Sequence, residues 1–138
     1  MKDEMLYARS FRDLVVYQKA FDIAQRLFVI SSSFPREEKY SLTDQVRRSS
    51  RSVGAQIAEA WGKRKYEKHF VSKLTDADAE QLETQHWVAI AASSGYLKKS
   101  DHDELQDELS RVGRMLHSMI TKSGTFCRED PPSYDKTS

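Results

Sequence analysis

The sequence predicts an all-α fold, an antiparallel up-down-up-down four-helix bundle, on three observations. Apolar residues recur every three to four positions through four successive stretches. No stretch alternates with the period of two that a half-buried strand needs, and the 138 residues include only five Gly and three Pro. The connections are short, which favours neighbouring helices that run in opposite directions. Helices are predicted over roughly 11–32, 40–61, 66–93 and 101–121, so that residues 11–121 form one bundle. Residues 1–10 are predicted as a flexible N-terminus and 122–138 as a mobile C-terminal tail.

The first helix carries two apolar stripes. Leu14, Tyr17, Phe21, Ala24 and Phe28 make one, and Val16, Ala20, Ile23, Leu27 and Ile30 make the other. Together they span about 200°, wider than the ~100° of an ordinary surface helix, so more than one neighbour is expected to cover them. Pro35 ends the segment by pushing Phe34 out of the α region. The second helix places Leu42, Val46, Ser49, Val53, Ile57 and Ala60 on one face, and the small residues Ser49, Ser52 and Gly54 predict close helix approach. In the third, Phe70, Leu74, Ala77, Gln81, Val88 and Ala91 face the core, with Trp87 and Ile90 beside them and Gly95 as the stop. The fourth is predicted to start at Ser100 as N-cap, with Asp101, Asp103 and Glu104 at the positive end of its dipole. Its stripe is Leu105, Leu109, Val112, Leu116 and Met119.

A net charge of +1 imposes no global preference for nucleic acid, but the charge is unevenly placed. Arg36 to Lys73 holds ten Lys/Arg against five Asp/Glu, whereas Leu74 to Ser110 holds two Lys against nine acids. Such polarity builds a basic and an acidic face on one molecule, or complementary faces between copies. No apolar run approaches the ~20 residues that cross a bilayer. The first helix also mixes signs on its polar face, Gln18, Lys19, Asp22, Gln25 and Arg26, so no membrane partner is expected. Acids near the N-terminus and the lack of an apolar h-region argue against a secretory signal. The single cysteine, Cys127, points to a reducing compartment, the cytoplasm.

Catalytic patterns are absent from the sequence: there is no GxxxxGK phosphate loop and no GxSxG elbow. Cys127 lies beside Arg128 but lacks a positioned base. Glu83-x-x-His86 is half of a di-iron bundle pattern without its second pair, and His69, His102 and His117 stand alone. The expectation is therefore a protein that is not an enzyme and has no metal site or cofactor. The binding candidates are basic: Arg47, Arg48 and Arg51, then Lys63, Arg64, Lys65 and Lys68, with Tyr66 among them as a surface for base stacking. A solvated face, or ion pairs with an acidic helix of another copy, accounts for the same charges. Arg48 is also placed to pair with Glu59 or Glu83.

The stretch FPREEKYSLTDQVRRSSRSVGAQIAEAW (Phe34 to Trp61), with FRDLVVYQKA (Phe11 to Ala20) and AEQLETQ (Ala79 to Gln85), resembles the bacterial four-helix bundle family associated with intervening sequences of large-subunit ribosomal RNA. It is also similar to accessory proteins of diversity-generating retroelements. Arg47-Arg48 and Ile57-Ala58-Glu59 match the family's pattern, while Gly54 stands where many members have Pro. Gln56 and Ala60 replace Asn and Gly. The resemblance implies a homopentameric ring with RNA or DNA as ligand. A protein client, with the ring as adaptor or scaffold and no direct nucleic-acid binding, is the alternative.

Overall fold

The computed structural model describes residues 8–127 and is helical throughout, with no strand among them. Four long helices carry the structure: α1 (Val15–Ser31), α2 (Asp44–Gly62), α3 (Glu67–Ser93) and α4 (Lys99–Thr121); α5 (Ser123–Cys127) is a single turn. Contacts run in a cycle, α1 on α2, α2 on α3, α3 on α4 and α4 on α1. The core between them is mainly aliphatic, with Leu27, Leu42, Ile57, Leu74, Leu105, Leu109 and Leu116 fully buried beside the ring of Phe70.

Chain entry into α1 is fixed by a capping box. Ser10 Oγ accepts from the Arg12 N–H at 3.0 Å, and the Asp13 carboxylate accepts from the Ser10 N–H at 3.3 Å, around a short 3-10 turn at Phe11–Asp13. The two predicted apolar stripes of α1 are covered to different degrees, the second fully except for a half-buried Ile30. Val16, Ala20, Ile23 and Leu27 are buried, while Phe21 and Phe28 are 50% and 40% exposed. Its neighbours α2 and α4 also bury Leu14 and Ala24 of the other stripe and half-bury Tyr17, so only Phe21 and Phe28 of that stripe stay at the surface.

The second helix differs from expectation at its start. Lys39–Thr43 winds as a π-helical turn after a 3-10 turn at Arg36–Glu38, and regular α geometry begins at Asp44. Close approach of α2 and α3 holds as expected: buried Thr84 Oγ1 donates to buried Ser49 Oγ at 2.8 Å. On the other side, Gly54 faces the Tyr17 ring, whose Cε1 would sit 3.4 Å from an added Cβ.

Gly95 does stop α3. Its φ is +85°, and Gly95 N–H donates to Ala92 O while Tyr96 N–H donates to Ala91 O, which together make a Schellman turn. The predicted Ser100 N-cap is displaced, since Lys98 occupies the cap and α4 begins at Lys99. Asp101 is free of capping there and instead accepts from Arg26 across to α1 at 3.0 Å, beside Glu104 at 2.7 Å. The predicted tail also starts later than residue 122. Ser123–Cys127 is helical, and Phe126, 8% exposed, packs on Phe70 with ring centroids 5.6 Å apart. Residues 1–7 and 128–138, to which most of the terminal predictions apply, lie outside the described span.

Candidate nucleic-acid interface

The seven basic candidates occupy three places. Arg47 and Arg51, one turn apart on α2, both lie over the Phe28 ring, at 4.5 and 5.4 Å from its centroid. Arg47 is also committed to the C-terminus of α1. Its guanidinium donates to Ser31 Oγ at 2.8 Å, to the Phe28 carbonyl at 3.1 Å and to Ser32 Oγ at 3.3 Å. The Phe28 carbonyl is one of the last four of α1, which lack partners within the helix, so a cation there satisfies both the acceptor and the dipole.

Arg48 turns the other way, toward α3. It donates to Glu83 at 2.6 Å and to Glu80 at 3.4 Å. Glu59, the other carboxylate offered for it, pairs with Lys73 at 2.8 Å. The Arg48 hydrogen bond, then one from Trp87 Nε1 at 2.9 Å, holds the Glu83 carboxyl below its ordinary pKa, and Arg48 is raised in return. This carboxylate is thus occupied by an arginine and an indole, and among the described residues no group of three His, Cys, Asp or Glu is placed to hold a metal.

The third place is the turn between α2 and α3. Sixteen residues of helix separate Lys63 from Arg47, about 24 Å at 1.5 Å per residue, so the two sets do not converge on one phosphate. Arg64 stacks on Trp61 at 3.7 Å and donates Nε–H to the Trp61 carbonyl at 2.9 Å. Lys63, Lys65 and Lys68 are exposed, and their side chains make no ion pair among the described residues. Tyr66, 61% exposed, leans on His69 with ring centroids 5.7 Å apart.

Folding brings three further cations to this end that sequence spacing did not single out: Arg9, Arg12 and Lys122, all exposed. Phe11 lines the same groove as Ala58 near the end of α2, which sets Arg9 and Arg12 close by. Ser123 Oγ donates to Glu67 at the start of α3, which does the same for Lys122. No local pattern reveals them, because they lie more than fifty residues from the basic turn or on its far side in the chain.

Residues 12–118 match the family described as 23S rRNA-intervening sequence protein. The chain belongs to that family. A similar solved structure is a protein of unknown function of the S23 ribosomal protein family from Bacteroides thetaiotaomicron. It superposes with a TM-score of 0.70 at 26% identity, over 78% of this chain and 96% of the other. No curated protein matches the chain. In this 23S rRNA-intervening sequence family member, the paired arginines that carry the resemblance both make contacts within the chain, Arg47 to α1 and Arg48 to α3. No described helix is long and apolar enough to cross a membrane.

Proposed function

We propose that this family member is a non-enzymatic, cytoplasmic, antiparallel four-helix bundle that closes into a ring of five. The ring binds structured RNA or DNA through a basic surface repeated on every copy. Cyclic helix contacts joined by short turns support the antiparallel arrangement. The observation that carries the binding reading is the basic end. Lys63, Arg64, Lys65 and Lys68 crown the α2–α3 turn beside Arg9 and Lys122, and the three lysines of the turn have no carboxylate partner among the described residues. Such unpaired cations neutralise phosphates without reading bases, so binding is weakly sequence-selective and strongly salt-dependent. Repetition around a ring converts weak contacts into avidity.

Anisotropy of a labelled RNA hairpin and a DNA duplex, titrated with the protein from low to physiological salt, tests this. Saturable binding that weakens log-linearly with salt, and fails in the Lys63→Ala/Lys65→Ala/Lys68→Ala variant, supports it. No binding at low salt by a folded oligomer removes it. A second reading, an adaptor whose ring docks a protein client, draws on the exposed Val29 and Tyr40. A client pull-down that survives nuclease favours that reading.

A further inference from the structure

Helix α3 has an unusual outer face. Residues 75, 79, 82, 86, 89, 90 and 93 follow helical spacing on the side away from the core, and all are exposed. They are Thr, Ala, Leu, His, Ala, Ile and Ser, with no Lys, Arg, Asp or Glu among them. Leu82 is 54% exposed and Ile90 38%. A solvated helix normally turns charge outward, so this low ridge of small and aliphatic side chains is dressed as an interface. Its edges carry acids, Asp78 on the α4 side and Asp76 on the α2 side, where Glu83 is already paired with Arg48.

The counterpart lies between α1 and α2. There Ala20, Ala24, Gly54, Ala55 and Ala58 floor a groove of about 320 Å³, and the half-exposed ring of Phe21 walls it. Alanine and glycine keep the floor low enough for a helix to seat. Arg51 borders this groove, and Arg12, with Asp22, stands beside Phe21 beyond it, so a cation flanks each side of the groove where acids flank the ridge.

We propose that the α1–α2 groove receives the α3 ridge of a second copy of this chain. Shape, apolar character and flanking charge all match between the two. The pairing rests on the oligomeric part of the proposed function and names its contact surfaces. Groove and ridge are different patches, with α3 diagonal to α1 in the contact cycle, so the contact is heterologous. Each copy gives a ridge to one neighbour and a groove to the other, which generates a closed ring or an open filament.

Heterologous pairing makes a prediction that a self-complementary patch does not. Leu82→Asp removes the ridge and keeps the groove; Phe21→Asp does the reverse. Both positions are half exposed, so folding is retained, as circular dichroism checks, and Ala55→Glu with His86→Glu repeats the pair at exposed sites. In sedimentation at micromolar concentration the wild type is oligomeric, each variant alone is monomeric, and the equimolar mixture forms a 1:1 heterodimer through its one intact groove and one intact ridge. Variants that keep the wild-type assembly overturn these surfaces while the ring stands. A mixture that stays monomeric overturns the heterologous pairing. A monomeric wild type overturns the ring and this contact together.

Discussion

At the scale of single residues, two glycines of α-helices have opposite reasons to be there. An added Cβ at Gly113 would sit 2.8 Å from Gln81 Nε2 and 3.3 Å from Asp78 Oδ1. Gln81 has little freedom to yield, since it is buried, donates to Asp78 at 2.9 Å and accepts from Gln85 at 2.8 Å. Gly113→Ala is therefore expected to destabilise by about 1–3 kcal/mol despite the better helix propensity of Ala. Gly54→Ala meets Tyr17 at an ordinary 3.4 Å and is expected to be neutral or to gain up to about 1 kcal/mol. Urea midpoints of the two variants check the contrast. Glu83 supplies a pH test. Its carboxyl is held below the ordinary 4.5, first by Arg48 and then by Trp87, so its contribution is complete above the unfolded value and is lost as pH falls through the depressed one. The stability gap between wild type and Glu83→Gln should shrink below pH 4.5, and a gap unchanged down to pH 3 excludes the link. The Arg48–Glu83 pair was legible as one of two options because both charges sit on helix faces. Arg47 was not legible as a helix cap, because its contact depends on how the Ser32–Thr43 connection folds back.

Among the elements, α1 and α3 share a property that periodicity expressed only in part. Both are apolar on more than one side. For α1 the excess was visible as a wide arc, although the sequence did not say which stripe would be covered by the chain's own neighbours. For α3 it was masked, because alanine and threonine in the outer stripe pass for ordinary surface residues. Gly95 was legible at the end of α3, since a positive φ is a demand that sequence states openly. The small helix α5 was not: five residues are too few to show a period, and Gly124 suggested a tail. Its role is local. Phe126 closes over Phe70 at the start of α3, and Phe126→Ala is expected to cost about 2–3 kcal/mol, at or below the low end for a buried ring because this one lies at the bundle's edge. The drop in thermal midpoint measures it, and a shift under one degree would remove α5 from the fold's support.

For the whole molecule, the charge asymmetry read along the chain becomes an asymmetry between ends and sides only after folding. The three turn lysines should then dominate the salt response. Each phosphate contact contributes about 0.9 to the log–log slope for duplex DNA, so the triple alanine variant is expected to lower the slope by about 3 for each copy engaged. A variant slope equal to wild type would mean the phosphates are met elsewhere. The described chain both begins and ends beside these lysines, because Ser10 precedes α1 there and α5 folds onto the start of α3. A dye or other label attached at Ala8 or Cys127, the first and last described residues, is therefore delivered to the cationic end, where it competes with the nucleic acid it is meant to report on. The opposite end, where Gly95 turns the chain and the exposed Ser94 and Lys98 flank it, is the place to attach a surface anchor or a fluorophore without blocking that approach.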